Sequence, residues 1–344
     1  MKQTAVVIAP GRGTYNKNEL GYLKRHHPNA PNLDQFDIYR SMLGQTKIRE
    51  LDSAALFSGP THTRGDNAAP LIYACAYSDF VSINRELFNI VGITGNSMGW
   101  YIALACAGAL DPMGGMQLVN TMGTLMQDHM IGGQLVYPFL DDNWQEIFGR
   151  RDNLMSEVAT INARPDYVLG LSIDLGGMLV LAGNEAGLTA FERAVPSLQG
   201  RFPMRLQNHA GFHTHLQRPI SKLGFDAISE NLFTQPTIPL IDGRGSIWYP
   251  MSTDTSELYN YTLGHQVIEL YDFTAAIRTA AREFMPDVFI ILGPGTTLGG
   301  ATAQALIQAN WRGWNSKLDF EKEAQDQPRL LLQAIMHASD LFEP

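Results

Sequence analysis

Along most of the chain the apolar residues fall in short unbroken runs, separated by Gly/Pro-rich punctuation and by longer stretches of helical character. That pattern predicts buried parallel strands alternating with helices, an α/β arrangement. Residues Ala5 to Ala9 read AVVIA and stop at Pro10-Gly11-Arg12-Gly13, so a buried strand should end there in a loop. Loops at the carboxyl ends of parallel strands are where sites gather. The polar stretch with Lys24, Arg25, His26 and His27 is expected at the surface. Asp34 to Leu51 is expected as helix, Leu56 to Asn67 as loop, and Ala68 to Phe88 as a long apolar helix.

The run Ile90 to Thr94 is followed by Gly95-Asn96-Ser97-Met98-Gly99 and then by an Ala-rich apolar segment. Strand, sharp turn and helix in that order outline a nucleophile elbow, in which small residues let strand and helix approach and the Ser stands on a strained turn. The following N–H groups would sit at a helix N-terminus, where a developing oxyanion is stabilised. An N-capping Ser in any α/β protein would read the same way.

After Asp111-Pro112, Met116 to His129 reads as helix, with Met122 and Met126 one turn apart as ordinary core residues. The scale of the pattern then changes. GGQLVYPFL, YVLGLSIDL and GGMLVLAG are short strand-like runs, Asn184 to Val195 is a capped helix, and FPMRLQ is again strand-like. This predicts an inserted subdomain over residues 128–205, with 1–127 and 206–344 forming the larger one. Farther on, Ile238 to Asp242 and Pro286 to Leu292 read as strands, and Tyr261 to Phe284 and Arg329 to Leu341 as helices. The turn from Gly293 to Gly300 is Gly-rich but lacks the Lys-Ser/Thr ending of a P-loop. It reads as a close-packed strand-to-helix turn.

Composition narrows the function. The 344 residues are 45% hydrophobic and 17% charged, with a formal net charge of −9, which argues against a general nucleic-acid binder. Cys75 and Cys106 lie in apolar helical segments and read as packing residues, which fits a reducing cytoplasm. The apolar run after Lys2 is too short for a signal peptide, and no stretch approaches the roughly 18 apolar residues of a membrane span. His209, His213 and His215 crowd one segment. They read as a metal site lacking the usual ligand spacing, as plain polar loop residues, or as the source of a general base for Ser97.

Taken together, Pro10-Gly11-Arg12-Gly13, Gly95-Asn96-Ser97-Met98-Gly99, Gly211-Phe212-His213, Gln266 and Leu292-Gly293-Pro294-Gly295 resemble the malonyl-CoA:acyl carrier protein transacylase family and the acyltransferase domains of polyketide synthases. The resemblance implies an α/β-hydrolase-like large subdomain with a parallel sheet and an inserted ferredoxin-like α+β subdomain. It implies Ser97 as nucleophile, His213 as its base, a backbone carbonyl at Gln266 orienting that base, and oxyanion donors at Met98 and Arg12. It also implies ping-pong transfer of an acyl group from acyl-CoA, through acyl-Ser97, to the phosphopantetheine thiol of an acyl carrier protein. No cofactor or metal is expected, acyl-CoA entering as substrate, and neither nucleic acid nor membrane is an expected partner.

The departures concern the substrate. Arg12 stands where the family usually has Gln, Asn96 where it has His, and Trp100 where it has an acidic residue. Met122 aligns with the Arg that pairs with the malonyl carboxylate. A neutral Met loses a charge-assisted bond worth roughly 1.5–3 kcal/mol, or about ten- to a hundredfold in discrimination. The expected acyl group is therefore not malonyl unless Arg12 supplies the missing cation, and Met122, Asn96 and Phe212 are expected to line the acyl pocket. Hydrolysis of acyl carrier protein thioesters and a weakly catalytic carrier-protein-binding module remain competing functions. Arg150, Arg151, Arg201, Arg205 and Arg218 are candidate docking residues for the acidic carrier.

Overall fold

A computed structural model describes residues 1–333. Eleven strands among them form two sheets. They are β1 (Gln3–Ala9), β2 (Phe88–Gly95), β3 (Gly133–Pro138), β4 (Leu169–Leu175), β5 (Met178–Gly183), β6 (Met204–Arg205), β7 (Leu240–Ile241), β8 (Ile247–Trp248), β9 (Tyr271–Asp272), β10 (Val288–Ile291) and β11 (Leu330–Leu332).

The large sheet has the order β11-β10-β1-β2-β7-β8, parallel except where β8 returns against β7. Residues Ala5 to Ala9 of its central strand are completely buried, as a strand covered on both faces requires. The helices Gly65–Ser82, Gly99–Cys106 and Pro112–His129 pack on one another beside β1 and β2. The small sheet has the order β6-β3-β5-β4-β9 and is antiparallel apart from the β4–β9 pair. Four of its strands lie within residues 133–205, and the fifth, β9, comes from Tyr271–Asp272.

Several segments differ from expectation. Tyr261 to Phe284 is not one helix. A π turn at Tyr261–His265 and a short helix at Gln266–Ile268 give way to β9, and a new helix, Phe273–Glu283, starts where the Asp272 carboxylate caps Ala275 N–H. Asp34 to Leu51 is broken between Leu33–Met42 and Ile48–Asp52 around Gly44, whose φ of 69° ends the first helix. The loop expected at 56–67 holds a short helix, Gly59–His62, and the helix after it already starts at Gly65. The surface segment expected at Lys24 to His27 is partly internal. His27 is buried with Nε2 2.6 Å from Oδ1 of Asp79, a carboxylate at 0% exposure that also accepts from Tyr22. Buried carboxylates need such partners.

Leu330–Leu332 forms strand β11 beside β10, where a helix was expected; residues 334–341 of that expected helix lie outside the described residues. A helix at Arg150–Asn162 was not anticipated, although Leu154, Val158 and Ile161 at i, i+4 and i+7 form its buried stripe. Cys75 and Cys106 are free and buried, and no helix among the described residues is long and apolar enough to cross a membrane.

Candidate active site

β2 ends at Gly95 and the next helix starts at Gly99, so Ser97 occupies a turn of three residues. Its φ is 56°, a left-handed conformation that non-glycine residues seldom adopt and that clusters at functional sites. The flanking glycines are steric requirements. A Cβ on Gly95 would run into the Gly99 backbone, and one on Gly99 into the carbonyl of Ala9. The turn is tied to the end of β1 by Asn96 N–H donating to Ala9 O at 3.0 Å.

His213 comes from a different part of the chain, held by its N–H on Val267 O at 3.1 Å and also at positive φ, 54°. Its Nε2 lies 2.7 Å from Ser97 Oγ and its Nδ1 2.6 Å from the carbonyl oxygen of Gln266. A carbonyl only accepts, so Nδ1 carries the proton and the Nε2 lone pair faces the Ser97 hydroxyl. Burial pushes the His213 pKa down to about 4, against the opposing pull of the Gln266 carbonyl. The ring is therefore neutral near pH 7.

Gln266 serves both partners. Its backbone carbonyl, freed where the π turn runs into the three-residue helix, holds His213. Its side-chain Nε2 donates to the carbonyl of Ser97 at 3.1 Å, while its Oε1 accepts from Tyr101 at 2.9 Å. Tyr271 in β9 donates its hydroxyl to Gly95 O at 2.6 Å, and its ring lies 5.4 Å from that of His213. Sequence reasoning missed Tyr101 and Tyr271. Tyr101 had a legible signal, a lone hydroxyl four residues after Ser97 in an otherwise apolar helix.

Ser97, His213, Gln266 and Tyr101 border a cavity of about 410 Å³ between the two sheets. Of the residues singled out from the sequence, Arg12, Asn96, Ser97, Met98, Met122, Phe212, His213 and Gln266 all line it. Trp100 does not; it is fully buried, with Nε1 donating to Thr262 at 3.0 Å. Met98 heads the elbow helix, at the positive end of its dipole. Met122 is 1% exposed and, with Ala69, Val119 and Met126, forms one apolar wall. The opposite wall is the small sheet, through Val136, Ile173 and Val180.

Arg12 brings a guanidinium to this space. It donates to Thr63 O at 3.1 Å and lies 5.7 Å over the Phe212 ring. Burial lowers its pKa to about 10, opposed by the charge of Asp66. It remains a cation at neutral pH.

The three clustered histidines separate. His213 meets Ser97, His209 binds Gln134 through Nδ1 at 2.9 Å, and His215 starts a short 3₁₀ turn. No cluster able to hold a metal occurs among the described residues. Of the docking candidates, Arg151 is paired with Asp174 and Arg205 with Glu185 and Glu192. Arg201 is exposed at the cavity rim, 4.6 Å over the Phe202 ring.

No family model matches the chain. In sequence it is similar to the malonyl CoA-acyl carrier protein transacylases of Salmonella typhimurium and Escherichia coli, each 21% identical over 210 residues. The match covers 61% of this chain and 64% of the length of these relatives. In structure it is similar to the transacylase of Coxiella burnetii, with a TM-score of 0.77 over 100% of this chain and 99% of that one at 16% identity. The chain has the fold of the malonyl-CoA:acyl carrier protein transacylases. A malonyl-transacylase solved with a type II polyketide synthase acyl-carrier protein has the same fold, with a TM-score of 0.71 at 17% identity over 98% of this chain and 99% of that one. The mixed α/β fold with a parallel sheet is the one the resemblance implied.

Proposed function

We propose that the chain is an acyltransferase that moves an acyl group from CoA to the phosphopantetheine thiol of an acyl carrier protein through an acyl-Ser97 intermediate. The observation that carries this reading is the Ser97 Oγ to His213 Nε2 contact of 2.7 Å, on a turn at positive φ, at the wall of the cavity. His213 takes the Ser97 proton as Oγ attacks the thioester carbonyl. The tetrahedral oxyanion meets the N–H groups of Met98 and Arg12; loss of one such donor costs about 3–4 kcal/mol. The C–S bond breaks, the thiolate receives the proton from His213, and acyl-Ser97 remains. A carrier thiol then gives its proton to His213 and attacks the ester, and Ser97 Oγ leaves with that proton restored.

The acyl group in this reading is neutral. Met122 is buried in the apolar wall with Val119 and Met126, and none of these can pair with a carboxylate. The fold similarity to carrier-protein transacylases supports the acceptor.

The test is incubation with malonyl-, acetyl- and longer acyl-CoAs, reading the mass of the intact protein. Mass addition is expected from neutral acyl-CoAs, to vanish in Ser97→Ala, and to be discharged by holo carrier protein. No addition from any thioester overturns the reading. Release of free acid with no acceptor thiol present would instead make the protein a thioester hydrolase.

A further inference from the structure

Three polar groups around the cavity are left without the partners their chemistry calls for. Asn96, one residue before Ser97, has a buried Oδ1 with no hydrogen-bond partner among the described residues. His209 is a half-buried cavity residue, and its tautomer follows from a chain of bonds. Ser172 Oγ donates to Phe212 O at 2.7 Å, and Gln134 Nε2 donates to Ser172 Oγ at 2.6 Å. The Gln134 Oε1 therefore accepts from His209 Nδ1–H. The lone pair of His209 sits on Nε2, in a residue that lines the cavity, with no hydrogen-bond partner among the described residues. Burial and the nearby Arg12 charge lower the His209 pKa to about 3, so the ring is a neutral acceptor. The third group is Arg12, a donor whose hydrogen bond among the described residues is to Thr63 O. Arg12 and His209 flank the same ring, that of Phe212, at 5.7 and 5.8 Å.

Buried polar groups are almost always satisfied, and the exceptions mark places where a ligand or water completes them. A hydrocarbon acyl chain offers none of the three a partner. A carboxylate would satisfy Arg12 but set its own lone pairs against Asn96 Oδ1 and His209 Nε2. A secondary amide offers both halves, an N–H for an acceptor and a C=O for the guanidinium. The pantetheine arm carries two amides, the nearer separated from the reacting sulfur by only two methylenes.

We propose that Asn96, His209 and Arg12 form a subsite for the amides of the pantetheine arm. The amide N–H groups donate to Asn96 Oδ1 and His209 Nε2, and a carbonyl accepts from Arg12. The subsite rests on the acyl-transfer reading above and assigns recognition to the thiol half of the substrate, the half that CoA and carrier protein share.

The test compares two butyryl thioesters on the full-length protein, one of N-acetylcysteamine and one of pentanethiol. They share the acyl group and the length of the thiol arm and differ by the amide. The rate of Ser97 acylation, read by intact mass, should give a kcat/KM at least tenfold higher for the amide thioester. Asn96→Ala and His209→Phe should each shrink that ratio, a readout that a general loss of folded protein does not move. Equal kcat/KM values on the unaltered protein overturn the subsite while leaving acyl-Ser97 chemistry standing. No acylation from either thioester or from any acyl-CoA overturns both.

Discussion

The side-chain amide of Gln266 donates to the backbone carbonyl of Ser97 at 3.1 Å, while the backbone carbonyl of the same residue accepts from His213 Nδ1 at 2.6 Å. One residue thus sets the distance between the two halves of the dyad. Gln266→Leu keeps the backbone carbonyl and removes the grip on Ser97, leaving the buried Tyr101 hydroxyl without its acceptor. The expected result is a fall in kcat of about tenfold, larger than any change in KM, with a loss of about 1–3 kcal/mol in stability. Single-turnover acylation and urea unfolding measure the two separately. An unchanged kcat would remove Gln266 from the positioning role.

Two histidines that line the cavity give the protein a defined response to acid. His213 and His209 have pKa values of about 4 and about 3 in the folded state, both lowered chiefly by burial from 6.5. Between pH 6.5 and those values the unfolded chain binds the extra protons and the folded chain does not. Their contribution to stability is therefore complete above pH 6.5 and is lost as the pH falls toward 4 and then 3. Each tenfold difference in proton affinity between the folded and unfolded chain is worth about 1.4 kcal/mol. The urea midpoint should be lower at pH 5 than at pH 7.5, and His209→Gln should narrow that difference. Acylation, which needs neutral His213, should hold its rate down to about pH 5. An acid limb near pH 6.5 would contradict the burial of the base.

Met122→Arg asks whether one neutral side chain sets the acyl group. Met122 borders both the cavity and Gly224, against which its Sδ packs. A guanidinium there restores a carboxylate partner, and the ratio of malonyl to acetyl loading on Ser97 should rise by about ten- to a hundredfold, the worth of one charge-assisted bond. An unchanged ratio, in a variant that still loads acetyl groups, would mean that acyl choice is made elsewhere in the cavity.

The elbow was legible because its signal is local. An apolar run, two glycines and a Ser fall within a dozen residues, and the glycines are fixed by clashes within that same turn and with Ala9. Chemistry narrowed the base only to the crowded trio His209, His213 and His215, and the resemblance, not the local pattern, singled out His213. The rest of the site joins positions far apart in the chain, and nothing in the sequence near Thr63, Gln134 or Tyr271 announces its partner in Arg12, His209 or Gly95. The fold shows the same division. β9 has only two residues and β11 three, and such strands, set in stretches of helical composition, are made by pairing with β4 and β10. Local pattern cannot foretell a partner strand.

Arg201 is the arginine at the cavity rim without a carboxylate partner among the described residues, whereas Arg151 and Arg205 are already committed to Asp174 and to Glu185 and Glu192. On a protein with net charge −9, an exposed cation beside the entrance is the place where an acidic carrier gains most from complementarity. Arg201→Glu replaces that attraction with repulsion. Discharge of acyl-Ser97 to holo carrier protein should slow severalfold at low salt, more than loading from the small N-acetylcysteamine thioester does. The gap should close as salt rises, since an exposed pair is screened beyond about 10 Å at 0.1 M. Stopped-flow or quenched transfer at two ionic strengths measures it. An equal effect on discharge and on loading, independent of salt, would place Arg201 in the walls of the cavity and move the docking surface elsewhere.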